Sequence, residues 1–514
     1  MSGGAATATA LVAPGAETQD AVAEGLTAEQ RRAAGTHAKN LFIEAGPGTG
    51  KTTVSAYRFA VQRFHPAARS DNRAVVAVSF TRSATWCLWR RVQRIWGPSA
   101  IAWPHRIVTL DTIMCDLLHD LLGCGLLHWP NGHTTLDVHD SWASFSGTLW
   151  TQTTYALRVR DGNVEVITGL TSSSVRVPTT VIVPRLVAGI CTHGDVRRVL
   201  EQALTNPTCV DRLRTRLAMT MRALIVDEVF DANDLDIAVI ELAINAGVAV
   251  TLVGDPWQAL YVFRGARPEA VPALLDRTGV RTVPLTRSFR WQTDSQRDVA
   301  DRLRNGMPVT LRADGPGGAD PGIDVVLGLF WKPLWEIGNH VLPLAYHAFK
   351  GGTEEAAATL LLNHLTRNVF SEDATYLRDA LTALAITDPD VPRQLEPELQ
   401  EIAELLRIPG KAALNAAYGR LVEVVATVSP RLLRRAHRAH TSRLAALGER
   451  IVYHGRLVPG LTTHQAKGRE WDAVGVHLTP SERQTLADGL TVKEDTHRKL
   501  YVACTRARSA TVEV

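Results

Sequence analysis

The sequence predicts an α/β protein built on parallel sheets, and three observations lead there. First, residues 41–45, 74–80, 223–226 and 249–253 are short runs that stay apolar instead of alternating. That is the pattern of strands buried on both faces, as in a parallel sheet. Second, each run ends in a glycine-rich or polar turn, the position where open α/β sheets carry their ligand sites. Third, 514 residues exceed what one ordinary core fills, so two to four domains are expected.

Composition narrows the class. A hydrophobic share of 45% and a charged share of 21% are those of a globular chain. The net charge of +4 permits a polyanionic partner without demanding one. The six cysteines are scattered with no C-x-x-C pair, as expected of reduced thiols in a cytoplasmic protein. Residues 1–25 are rich in Ala and Gly and lack Lys and Arg, so a disordered leader is expected there instead of a signal peptide. The longest apolar stretch, residues 325–346, is broken by Lys332, Pro333, Glu336 and His340, so no membrane partner is expected.

In chain order, Thr27 and Gln30 have the spacing of a helix capping box. An amide just before a phosphate loop also suits an adenine edge, and both readings stand for Gln30. The apolar run 41–45 then enters Gly46-Pro47-Gly48-Thr49-Gly50-Lys51-Thr52-Thr53, with Ala45 where the pattern usually has its first glycine. This is a P-loop: glycines let the backbone approach phosphate, Lys51 reaches the β/γ-phosphates, and the Thr52 hydroxyl ligates Mg²⁺. The cofactors implied are ATP and Mg²⁺.

The run 74–80 ends in Thr81-Arg82-Ser83-Ala84 and a helix carrying Trp86, Trp89, Arg90, Arg91 and Arg94. Residues 123–221 depart from the βα pattern; Asp161-Gly162-Asn163 reads as a hairpin turn, 175–183 as a further strand, and 196–204 as a helix. Residues 223–226 end in Asp227-Glu228, an apolar strand followed by paired carboxylates. Downstream of a P-loop, Asp227 would hold Mg²⁺ and Glu228 would deprotonate the attacking water. Residues 249–253 lead into Gly254-Asp255-Pro256-Trp257-Gln258, then Tyr261, Phe263 and Arg264. Aromatics beside a cation suit stacked single-stranded bases; taken alone, the stretch reads as core packing at alternating spacing.

These segments resemble a superfamily 1 helicase of the UvrD/Rep/PcrA type. The resemblance rests on Thr27 with Gln30, 45–52, 79–84, 226–233, 253–266, Leu285-Thr286-Arg287-Ser288-Phe289-Arg290, Thr463-His464-Gln465-Ala466-Lys467-Gly468-Arg469-Glu470, and 499–507. It implies two RecA-like parallel-sheet lobes, each with an inserted subdomain, and ATP in the cleft between them. On this basis residues 26–122 and 222–284 form the first lobe around an insertion at 123–221. Residues 285–369 and 459–514 form the second around a helical insertion at 370–458.

The resemblance further implies that Gln30 reads the adenine, Phe289 stacks on it and Glu470 contacts the ribose. Gln258 would sense the γ-phosphate, Arg290 and Arg506 would be arginine fingers, and Thr81, Tyr261, Phe263 and His464 would touch single-stranded DNA. Two departures stand out: Phe230 replaces the usual Gln, and Leu110-Asp111 replaces an aromatic-His pair, where an Asp facing phosphate would repel it. Arg431, Arg434, Arg435, Arg438 and Arg443 read as the basic face of a helix begun by Ser429-Pro430, either solvated or set against duplex phosphates.

The function implied is a 3′-to-5′ DNA helicase or translocase acting on single strands and on junctions with duplex. A repair factor or nuclease is the protein partner envisaged, although the end at Val514 leaves little chain for docking one. The alternative is a DNA-sensing ATPase subunit that regulates such a nuclease without unwinding. A P-loop kinase or GTPase fits less well, since it has no need of two arginine fingers from a second lobe.

Overall fold

The computed structural model describes residues 25–66, 70–142, 153–168, 174–175, 179–313, 322–431, 433 and 438–514. The expected leader therefore lies outside the described residues, apart from Gly25. The chain is α/β with two six-stranded sheets in which every pairing is parallel.

The first sheet begins with β1 (Leu41–Ala45), β2 (Ala74–Ser79) and β3 (Arg106–Thr109). An excursion follows that holds β4 (Asp137–His139), β5 (Thr153–Arg160), β6 (Asn163–Thr168), β7 (Ser174–Val175) and β8 (Ile190–Thr192), none of them in the large sheet. The chain returns as β9 (Met221–Asp227), β10 (Ala249–Gly254) and β11 (Arg281–Leu285), giving the order β11-β1-β10-β9-β2-β3. All six residues of β2 are buried, as the unbroken apolar run requires. Because the strands are parallel, β1, β9 and β10 deliver Gly46, Glu228 and Asp255 to the same edge of the sheet.

The second sheet comprises β12 (Arg312–Ala313), β13 (Val325–Gly328), β14 (Val341–Pro343), β15 (Val458–Thr462), β16 (Trp471–Val476) and β17 (Ala507–Glu513), in the order β12-β17-β16-β13-β15-β14. Between β14 and β15 run helices that include Thr353–Phe370, Glu396–Leu406, Lys411–Val428 and Arg438–Ile451. They close their own core around Leu361, Ile402, Leu421 and Leu447. Trp257 and Leu260, which follow β10, are buried in the second lobe's core, and the Trp257 and Tyr501 rings lie 4.9 Å apart. Each fully buried side chain of that size contributes about 1.5–3 kcal/mol, so this contact ties the lobes together.

The hairpin forms as its turn dictates. Arg160 pairs with Asn163 across Asp161-Gly162, whose φ values of 47° and 78° are those of a type I′ turn. Two expectations are corrected. Of residues 175–183, Val175 ends the short strand β7, 176–178 lie outside the described residues, and 179–183 belong to helix Thr179–Val187 instead of a strand, buried through Ile182 and Leu186. The β-branched run reads locally as a strand, but tertiary packing overrides that weak preference.

Ser429-Pro430 ends a helix instead of beginning one. Ser429 is the extended C-cap of Lys411–Val428, because proline forces the residue before it out of the helical region. Arg431 is buried and donates from Nη1 to the Ala383 carbonyl, so it is no part of a basic face. Arg434 and Arg435 lie outside the described residues. Arg438 begins helix Arg438–Ile451, and Arg443 hydrogen-bonds the His347 ring at 3.0 Å. No helix among the described residues is long and apolar enough to cross a membrane.

Candidate active site

The P-loop joins β1 to helix Lys51–Phe64. Gly48 and Gly50 have φ of 70° and 87°, left-handed values that glycine adopts without strain. Gly48 is also required by a close approach. A Cβ there would lie 2.5 Å from Arg290 Cβ and 2.6 Å from Ser288 Oγ, because the segment linking the lobes rests on the loop. That segment donates to the loop carbonyls: Phe289 N–H to Gly48 at 2.9 Å and Ser288 Oγ to Pro47 at 2.8 Å.

Gln30 makes its capping box with Thr27 through its backbone N–H and its Oε1, and its side-chain Nε2 donates to the Thr49 carbonyl at 2.9 Å. Thr49 Oγ1 in turn donates to Gly46 at 3.0 Å. With these carbonyls engaged, the first-turn N–H groups of helix Lys51–Phe64, which include those of Lys51, Thr52 and Thr53, have no intrahelical acceptor and present a positive end to an anion.

Across the loop, β9 ends in buried Asp227, followed by Glu228 at φ 60°, ψ 44°. A left-handed non-glycine residue is costly and persists only where its surroundings hold it. Lys51 Nζ lies 3.5 Å from Glu228 Oε1, and Lys467 Nζ reaches over from the second lobe to 3.5 Å from Oε2. Lys467 also pairs with Asp231 at 2.5 Å and sits over the Tyr261 ring at 5.2 Å. Burial pushes the Asp227 carboxyl up, and neighbouring Glu228 adds to the rise. Burial opposes ionisation of Glu228 too, but the Lys467 and Lys51 ammoniums outweigh it and hold that carboxyl low.

Arg506 is buried at the end of helix Asp495–Cys504, its Nε donating to the Val502 carbonyl at 3.1 Å. Its Nη2 is buried without a hydrogen-bond partner among the described residues. Burial pushes this guanidinium down to about 9, with Arg290 adding to the effect. Arg290 Nε pairs with Glu470 at 2.9 Å, while Nη1 donates to the Thr505 carbonyl at 3.0 Å. Glu470 also holds Arg508 at 3.0 Å. The Phe289 ring is 48% exposed beneath the Arg287 guanidinium, leaving a face for a planar group.

Gln258 is buried, and its amide donates to Asp255 Oδ2 at 2.7 Å. The other Asp255 oxygen pairs with Arg304 of the second lobe at 3.1 Å. Arg304 also touches the Tyr501 hydroxyl at 3.3 Å.

Tyr261, Phe263 and His464 form one cluster at the lobe boundary. Phe263 and His464 meet edge to face at 5.1 Å, and Tyr261 lies 6.0 Å and 6.2 Å from them. Arg264 covers both the Tyr261 and the Phe263 ring. Phe263 is 65% exposed, so core packing does not account for it. His464 Nε2 bonds the Leu260 carbonyl at 3.1 Å, which makes that nitrogen the donor, and burial lowers the ring's pKa, so it is neutral near pH 7. Thr81 is outside this cluster; its Oγ1 caps helix Arg82–Trp96 by accepting from Ala84 N–H at 3.2 Å.

Both sequence departures find physical places. Phe230 is buried against Phe42 at 6.0 Å, so a polar contact is replaced by core packing. Asp111 does not stand as a bare charge: it pairs with Arg197 at 2.7 Å, whose other arm reaches Asp236 at 3.0 Å.

Sequence reasoning assigned no role to Lys467, Asp231 or Arg304. Lys467 lies within the polar run 463–470, but no spacing rule pairs it with an acid 236 positions away.

The residues fit a magnesium nucleotide. An orphaned buried guanidinium calls for an anion, and the Thr52 hydroxyl with the Asp227 carboxylate are hard oxygen donors. Mg²⁺ takes one or two carboxylates and completes its shell with water and phosphate. The described residues contain no cluster of three or more His, Cys, Asp or Glu that could hold a metal. A family model described as an AAA domain matches residues 30–264, the stretch holding the P-loop, Asp227-Glu228 and Gln258. It supports a P-loop nucleotide-hydrolysing domain of helicase-like kind. No curated protein sequence matches the chain.

Proposed function

We propose that this chain is an ATP-dependent DNA helicase or translocase that moves 3′ to 5′ on single-stranded DNA. One observation carries the reading. Lys467 and Arg506 of the second lobe converge on Lys51 and Glu228 of the first, and Arg290 lies against Gly48 of the P-loop, at the same boundary where Tyr261, Phe263 and His464 meet. One closure of the lobes would act on a nucleotide and on a strand together.

Bound Mg–ATP supplies a phosphoanhydride bond poised for attack by water. Lys51 and the loop N–H groups of Gly46, Gly48, Thr49, Gly50 and Thr53 would bind the phosphate end, and Thr52 and Asp227 would hold the metal. Glu228, kept ionised by its two ammoniums, accepts the proton of the attacking water. Arg506, and Arg290 once Glu470 releases it, stabilise charge on the transferring group. Gln258, tied through Asp255 to Arg304, would report the phosphate state to the second lobe. Gln30, Phe289 and Glu470 hold the nucleoside end. Thr81, Tyr261, Phe263 and His464 grip the strand, Phe263 by stacking. The direction of travel is carried over from the resemblance of the Tyr261–Phe263 stretch.

The test measures ATP turnover and release of a tightly bound end-label from single-stranded DNA tracks of increasing length. The proposal expects DNA-stimulated turnover and length-dependent release, faster from the 5′ end. Stimulated turnover with neither end cleared would refute the motor and favour a sensor that governs a nuclease or repair partner. Faster release from the 3′ end would overturn the polarity.

A further inference from the structure

We propose that the outward face of helix Arg82–Trp96 is a second contact for single-stranded nucleic acid, outside the interlobe cleft. Arg82, Trp86, Arg90 and Arg94 recur every fourth residue and all are exposed, so they form one row along the helix. Leu88 and Val92, fully buried on the opposite side, fix that orientation. The helix carries four arginines and no Asp or Glu. Trp86 is 54% exposed and stacks on Trp89 with ring centroids 4.7 Å apart and planes 12° from parallel.

A solvent-facing indole, Trp86, backed by half-buried Trp89 and set within a row of guanidiniums, is a combination that binds unpaired bases and their phosphates together: the exposed ring stacks on a base and the cations follow the backbone. The charge of the row selects a polyanion, and the exposed Trp86 indole selects one with free aromatic faces, hence a single strand over a duplex. Four residues of helix rise about 6 Å, so the row spans roughly 18 Å, with Arg90 and Arg94 one such step apart and the Trp86 ring between Arg82 and Arg90. Arg82 pairs with Asp140 at 2.6 Å, but both side chains are largely exposed, and such a pair is weak enough to give way to phosphate. The row starts beside Thr81, the helix cap, so a strand leaving the proposed grip can continue onto it. The identity of the polymer rests on the function proposed above; the row itself does not.

The experiment uses the full chain and a length series of labelled oligothymidylates, titrated against wild type, Trp86→Ala/Arg90→Ala, Trp86→Phe and Phe263→Ala. The double variant is expected to bind long oligomers about tenfold more weakly, the order of one lost stacked base, and to match wild type on oligomers too short to leave the cleft. Trp86→Phe should keep most of the affinity, since a ring remains. Basal ATP turnover should be unchanged in both Trp86 variants. Equal affinity of the double variant and wild type at every length, with Phe263→Ala still weakened, overturns this inference alone and leaves the face to a protein partner. Failure of wild type to bind any oligomer overturns both the inference and the reading it rests on.

Discussion

The ion triad Lys467–Asp231–Glu228 should behave as one clamp between the lobes, and its two ends should be unequal. Lys467 Nζ lies 2.5 Å from Asp231 Oδ2 and 3.5 Å from Glu228 Oε2, with its side chain 10% exposed and that of Asp231 3%. At an effective dielectric near 20, those separations correspond to gross attractions of about 6.6 and about 4.7 kcal/mol, most of which desolvation cancels. Removing one partner strands the other, at about 3–5 kcal/mol.

Lys467→Met strands Asp231 fully and Glu228 partly, since Lys51 remains 3.5 Å from Glu228. Asp231→Asn strands less, because Lys467 keeps Glu228. The expected order of cost is therefore Lys467→Met, then Asp231→Asn. The double variant should lose less than the two singles combined, with a coupling of about 3 kcal/mol, within the range seen for desolvated charge pairs. Calorimetric unfolding of the four proteins at neutral pH reads this out. Lys467→Met should lower the lobe transition by on the order of 10 °C, and adding Asp231→Asn to it should recover part of the loss. Strict additivity would refute the clamp, and a Lys467→Met transition equal to wild type would refute its burial energetics.

Three further outcomes follow. Lys51→Ala should abolish ATP turnover, while Glu228→Gln should bind ATP yet hydrolyse it about 100- to 10,000-fold more slowly; near-normal turnover in a folded Glu228→Gln protein would remove Glu228 from its role. Phe263→Ala should leave basal turnover intact and weaken DNA stimulation by the about 1–3 kcal/mol of one stacked base; a parallel fall in both rates would return Phe263 to the core. Burial lowers His105 to about 4, and its neutral Nδ1 accepts from Val75 N–H at 3.0 Å. Because the unfolded ring titrates near 6.5, the unfolded chain takes up the proton first: stability from this group is complete above about pH 6.5, declines as pH falls, and is lost by about 3 kcal/mol below pH 4. His105→Gln, whose amide oxygen can replace the acceptor, should flatten that part of the thermal-stability profile.

What the sequence by itself determined are the features that depend on near neighbours. The apolar runs of β1, β2, β9 and β10 fix buried parallel strands because each residue's burial follows from its own side chain. Gly48 and Gly50 fix the P-loop because their φ values suit glycine, and Asp161-Gly162 fixes the hairpin turn for the same reason. The Thr27–Gln30 capping box is likewise local.

What only the tertiary structure decided are the relations between residues far apart. Gln30 donates its side-chain Nε2 to Thr49, Asp111 is neutralised by Arg197, and Phe230 packs on Phe42, none of which any short-range pattern encodes. Residues 179–183, expected as part of a strand, lie in a helix because packing outweighs weak local preference, whereas Ser429-Pro430 closes a helix for a local reason, proline holding the residue before it out of the helical region. Lys467 and Asp231 stand 236 positions apart. Their pairing exists because two separate sheets turn their strand ends toward one boundary, where charges buried together must neutralise each other.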